Sequence, residues 1–352
     1  MIDLIGQPLT AALAGAFGGV LLGLAARLGR FCTLGAIEDA LYGGSFTRLR
    51  MWGMAIGVSI LGTFGLAALG LLPLGQTLYL GVTFSASASI LGGLAFGYGM
   101  AMSGNCAYGA LARLGGGDLR SFVIVLVMGL AAFATLTGPL AFLRVYLFPR
   151  ALETGQPDGV AHALGGLLGL GPVVPGLVLG LALCALMLGA PSFRRDRRAV
   201  LWSCVVGLAI MSGWALTAWI ARIGFAPQTI VSHSYAAPLG DTLMFAMQGS
   251  VRPLSFGIGS VAGVWLGAFL GSLWRGHFRW EACEDPRELR RQILGAALMG
   301  VGAVVAMGCT IGQGISAISV LSFSGPVTLA AIGVGAAIGL RQLIEGFGRA
   351  PV

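Results

Sequence analysis

The sequence predicts an all-α polytopic membrane protein, and three observations carry that prediction. Only 10% of the residues are charged, against about a quarter in a soluble domain, and mean hydropathy is +0.89. Apolar runs of roughly 18 or more residues recur along the chain, long enough to cross a hydrocarbon core about 30 Å thick. The 59 glycines let helix backbones approach closely where lipid supplies no hydrophobic drive. A soluble all-α protein of this composition could not cover itself with a wetted surface.

About nine spans follow in order. The first, 9–26, begins close to Met1 but has Asp3 where a signal peptide carries basic residues, so it reads as a retained span. Arg27, Arg30, Arg48 and Arg50 separate it from the second, 51–72. The third, 83–103, is followed by Arg113 and Arg120, and Pro139 marks a break near the end of the fourth, 121–143. Pro172 and Pro175 open the fifth, 173–190. Arg194, Arg195, Arg197 and Arg198 then lead into the sixth, 199–221. The seventh, 254–274, precedes Arg275, Arg279, Arg287, Arg290 and Arg291. The eighth is 291–308, and the ninth, 325–343, starts at Pro326, with Arg341 and Arg349 at its far end.

All 21 positive residues are arginine. If the spans alternate, only Arg144, Arg150, Arg222 and Arg252 fall on the opposite side from the other seventeen. The positive-inside rule then places the N-terminus outside and the C-terminus in the cytoplasm of a bacterial inner membrane. Dispersal over short loops argues against a nucleic-acid surface. The chain reads as one integral membrane domain, 1–352, with a first half at 1–150 and a second at 173–352.

Those halves repeat each other. Ile90 to Cys106 is ILGGLAFGYGMAMSGNC and Ile293 to Cys309 is ILGAALMGVGAVVAMGC, so that Gly92, Gly97, Gly99 and Cys106 match Gly295, Gly300, Gly302 and Cys309 without a gap. The copies lie on the third and eighth spans and therefore enter from opposite sides, an inverted-topology repeat of the kind that places one site between two halves. After each cysteine comes a glycine-rich stretch too short to span. It reads as a re-entrant or broken helix buried in protein, the alternative being an ordinary surface loop.

Of the six cysteines, three share Cys-x-x-Gly: CTLG at Cys32 with Gly35, CAYG at Cys106 with Gly109, and CTIG at Cys309 with Gly312. No metal spacing or disulfide framework is present in the pattern, and His162, His233 and His277 fall in loops or at span ends without ligand spacing. Cys184 and Cys204 sit in apolar spans as small hydrophobes, and Cys283 lies in EACEDP, whose acidity lowers thiol reactivity.

The segments GRFCTLGAIEDALYGG, MSGNCAYGALARL and LMGVGAVVAMGCTIGQGISAIS resemble the three signatures of the YeeE/YedE family of sulfur-compound permeases, in family order from about Arg27 to Leu340. The resemblance implies nine spans with short re-entrant helices, and import of thiosulfate or a related sulfur anion. It implies that Cys32, Cys106 and Cys309 are the functional thiols, and that a TusA-like cytoplasmic sulfur carrier is a partner. Some relatives handle selenium or other sulfur compounds. No cofactor is implied.

Chemistry suits these residues. A divalent anion loses much hydration on entering, and helix N-termini and backbone N–H groups offset that without a buried counter-charge. A thiol adds a weak, soft donor, and several weak sites in series permit release. Two routes remain: S–H hydrogen bonds passing the intact anion, or a thiolate taking the sulfane sulfur as a persulfide, which would make the chain a membrane sulfurtransferase. Only Arg30 is an obvious cation near a cysteine, which favours the first. A structural subunit with incidental cysteines is the third reading. Asn105, Thr310 and Gln313 flank the repeated cysteines as further donors. Glu38 and Asp39 would cap a helix, pair with Arg30 or relay a proton.

Overall fold

The computed structural model describes residues 6–149, 159–282 and 285–346; Cys283 and Arg150 lie outside these. The described residues form helices and their connections, with three isolated bridge pairings and no strand. In the first half come α1 (Gln7–Leu28), α2 (Thr33–Leu41), α3 (Thr47–Ala68), α4 (Ala86–Ser103), α5 (Ala107–Leu114), α6 (Leu119–Leu136) and α7 (Ala141–Leu147). Next come α8 (Val160–Leu168) and α9 (Val173–Leu188), bent by 117° at the intervening break, and the short α10 (Pro191–Arg195). The second half continues with α11 (Arg197–Ile223), α12 (Ala237–Gln248), α13 (Phe256–Trp274), α14 (Pro286–Val305) and α15 (Ser324–Glu345).

Local signals set the helix starts. Asp118, Asp196 and Asp285 accept backbone N–H groups at the N-termini of α6, α11 and α14, and Ser255 does so for α13. Glycine sets the packing. On α1, Gly15, Gly19 and Gly23 face the backbone of α13 near Phe256, Ser260 and Val264, while Gly259, Gly263 and Gly267 face α1 at Ala12, Ala16 and Val20. Both series ascend together, so the helices are parallel and joined along two small-residue stripes.

The same reading of contacts gives further directions. Helix α11 runs antiparallel to α1 (Gly29 on Trp202, Gly18 on Ser212) and parallel to α3 (Gly207 on Val58, Gly62 on Met211). Helix α4 runs parallel to α15 and antiparallel to α14. Between α4 and α14, Gly92 meets Gly302 and Gly99 meets Gly295. In the sequence repeat Gly92 is the counterpart of Gly295 and Gly99 of Gly302. The contact is therefore self-complementary, the signature of a two-fold axis relating the halves. Four long helices, α9, and four long helices in the opposite sense complete the bundle, and the inverted repeat is visible in its packing.

By length and apolarity alone six helices are fit to cross a membrane, or seven if α8 and α9 form one bent span. The count of nine rests on α4, α9 and α14 as well. Helix α9 has only 16 residues, and α14 opens on a charged turn. Helices α4 and α14 sit against one another and against α15 and α6, so protein rather than lipid covers much of their surface.

Candidate functional site

Each of the three cysteines occupies the same local device. The chain passes through a left-handed residue two positions earlier: Arg30 (φ 55°), Gly104 (φ 71°) and Met307 (φ 61°). The cysteine then caps a short helix, and its carbonyl accepts the N–H four residues on: Ala36 at 3.1 Å, Ala110 at 2.8 Å and Gln313 at 2.8 Å. The helices are α2, α5 and a third over 310–319, whose middle, Gly312–Ala317, is wound as a π-turn. Residues 308–322 are buried without interruption, so the stretch after Cys309 is a re-entrant helix enclosed in protein and not a surface loop.

Two cavities reach this device from opposite ends of α13. One, of about 390 Å³, is lined by Cys32, Gly35, Asn105 and Gly109, by Gly271 and Ser272 late in α13, and by Arg27, Arg30, Arg48, Arg113 and Arg275. The other, of about 640 Å³, is lined by Tyr79, Ser232, Ser234, Met307 and Gly308, and by Phe256 and Gly257 at the start of α13. Gly257 and Gly271, the near edges of these two segments, are about 21 Å apart along the helix.

Between the cavities lie the other two thiols, both fully buried. Cys309 Sγ accepts the Tyr235 N–H at 3.4 Å and sits 4.0 Å from the Ser234 hydroxyl, which lines the larger cavity. Cys106 Sγ accepts the Gly109 N–H at 3.3 Å, and both Cys32 and Cys309 are close enough to influence it electrostatically. The buried Thr310 hydroxyl lies beside the Cys106 thiol and has no well-formed hydrogen bond.

The glycines of the three motifs do different things. A Cβ at Gly35 would stand 2.3 Å from Arg48 Nη1, and one at Gly312 would stand 2.6 Å from Ser234 Oγ and 3.0 Å from Tyr79 Oη. At Gly109 it would meet only Asn105 Oδ1 and Cys106 Sγ, each at 3.6 Å. Gly35 and Gly312 thus admit polar groups from other elements; Gly109 leaves its own N–H free to reach sulfur. Gln313 is committed elsewhere: its amide donates to Ala306 O at 2.7 Å and accepts from Ser324 Oγ at 3.1 Å, pinning the re-entrant helix to α15. Asp39 pairs with Arg48 at 3.3 Å rather than with Arg30, and Glu38 lines the arginine-rich cavity.

Residues 232–236, absent from the sequence prediction of the site, form its fourth wall. They precede α12 as Cys32 precedes α2, between a long helix and a short one, but carry no cysteine. His233 is wholly buried here, its Nδ1 2.7 Å from Ser260 Oγ. Tyr235 accepts from the same hydroxyl at 3.1 Å, and its ring lies 5.8 Å from that of Tyr108, whose hydroxyl donates to Leu22 O. On the other side Phe31 stacks on Trp52 at 4.8 Å and holds the Cys32 turn against α3. Four polar residues in succession before Pro238, at the place equivalent to the first cysteine, are the signal that could have found this wall.

A profile of the family described as "Sulphur transport" matches residues 28–338. Among curated proteins, the thiosulfate transporter TsuA of Spirochaeta thermophila is 25% identical over 314 residues, covering 87% of this chain and 91% of that protein. The thiosulfate transporter TsuA of Escherichia coli is 27% identical over 331 residues, 90% of each.

Proposed function

Because the chain belongs to the sulphur-transport family, and so is a multi-pass transporter of a sulfur compound, we propose that its cargo is thiosulfate or a close analogue, imported past Cys309, Cys106 and Cys32 in turn. The arginine bias of the loops makes the arginine-lined cavity the cytoplasmic mouth and the hydroxyl-lined cavity the outer one. One observation carries the reading: Cys106, fully buried, neighbours both Cys32, which lines one cavity, and Cys309, which meets Ser234 on the wall of the other.

The chemistry follows from the surroundings of each thiol. Three short-helix N-termini point partial positive charge toward the thiols, and Ser234, Thr310 and Asn105 add neutral donors, so the anion is never stripped of partners at once. No hydrogen bond or ion pair ties an arginine or histidine to Cys106 or Cys309 among the described residues, which supports S–H hydrogen bonding of the intact anion over persulfide formation. Weak donors in series hold the cargo loosely enough to pass it on. At the cytoplasmic mouth a TusA-like carrier would receive it.

The test is uptake by a host lacking its own thiosulfate import, with thiosulfate labelled separately in each sulfur. Both labels should enter equally, and Cys106→Ala should lower the rate at least tenfold, matching one lost bond to a charged group of about 1.5–3 kcal/mol. Wild-type uptake by Cys106→Ala would overturn the route, and entry of the sulfane sulfur alone would favour the sulfurtransferase.

A further inference from the structure

The cytoplasmic mouth is rich in positive charge, and a cation-rich exit favours holding an anion over releasing it. Arg27, Arg30, Arg48, Arg113 and Arg275 line it against one carboxylate, Glu38. Arg120, outside the cavity, shows what full pairing looks like: it has Asp118 at 3.3 Å, Glu281 at 3.8 Å and Glu288 at 3.9 Å. In the cavity only Arg48 has such a partner, Asp39, while Arg275 donates to Leu28 O at 2.7 Å. Arg30 and Arg113 have no carboxylate within 4.0 Å among the described residues, and Arg27 Nε is buried without an acceptor. Asn105 is 3% exposed and lines the same cavity, placing a side-chain amide among the arginines. A buried guanidinium nitrogen without an acceptor, beside an amide that lines the cavity and arginines without carboxylate partners, suits an acceptor of high charge.

We propose that this cavity is an anion site in its own right, taking a small divalent oxyanion of the sulfate or phosphate class from the cytoplasm, and that its occupant obstructs release past Cys32 and so slows uptake. The inference rests on the transport reading above. At about 390 Å³ the cavity admits a tetrahedral oxyanion together with water. Guanidinium groups match the paired oxygens of such ions, and a cleft lined by one sign of charge concentrates multivalent ions over monovalent ones.

Right-side-out membrane vesicles carrying the protein should be loaded with sulfate, phosphate or chloride at equal ionic strength, and the initial rate of external thiosulfate uptake measured. Internal sulfate or phosphate should slow uptake about threefold or more relative to chloride, and Arg113→Gln should lose most of that difference. Equal rates from sulfate- and chloride-loaded vesicles would overturn the inference and leave transport standing. If no vesicles take up thiosulfate, the thiosulfate reading falls, and thermal denaturation of the purified protein decides the site. A rise in Tm with sulfate that Arg113→Gln loses supports it, and no rise defeats it.

Discussion

At the scale of single residues, a left-handed turn precedes every motif cysteine, yet only one of the three turns uses glycine. A Cβ at Gly104 would meet no atom within 4 Å, so backbone conformation alone opposes one. Gly104→Ala should therefore cost about 1 kcal/mol, and Met307→Gly should shift stability the opposite way, both read by thermal denaturation in detergent. The motif glycines separate in the same way. Gly312→Ala drives a methyl group into Ser234 and Tyr79 and should cost about 1–3 kcal/mol with a clear loss of uptake, whereas Gly109→Ala, with only ordinary contacts, should lose little stability. Equal Tm losses would refute the distinction. The cysteine-to-glycine spacing was legible in the sequence, but what each glycine admits was not. Arg48, Ser234 and Tyr79 come from distant elements that no local pattern announces.

For the elements, the close approach of α1 and α13 depends on glycines whose neighbours are backbone atoms, and backbone cannot yield as a side-chain tip can. A Cβ at Gly259 would sit 1.8 Å from Ala12 O, while one at Gly333 on α15 meets nothing within 4 Å. Gly259→Ala should lower stability by about 3 kcal/mol and Gly333→Ala by almost nothing, a contrast measurable by the same melting assay. Long apolar helices were readable from composition because their signal is intrinsic to the chain. Helix α12 and the 232–236 wall were not, since they carry neither an apolar run of spanning length nor a cysteine. Their role comes from the position the repeat gives them.

The whole molecule presents its two cavities at opposite ends of α13, which makes sidedness measurable. A membrane-impermeant maleimide should label Cys32 only from the cytoplasmic face and Ser234→Cys only from the outer face, leaving the buried Cys106 and Cys309 unmodified. Labelling of both positions from one face would overturn the arrangement. The inverted repeat behind this sidedness was legible from two aligned segments, because glycine and cysteine are needed at fixed places on both copies.

The crossing of α4 and α14 also limits how the protein can move. Many inverted-repeat transporters expose their site alternately by rocking one half against the other as rigid bodies. Here α4 of the first half lies along α15 of the second, α14 of the second lies along α6 of the first, and both meet at the axis through backbone-to-backbone glycine contacts. Rocking would have to break all of these seams together. The two halves are clasped like folded hands, a packing that opposes rigid-body rocking of one half against the other.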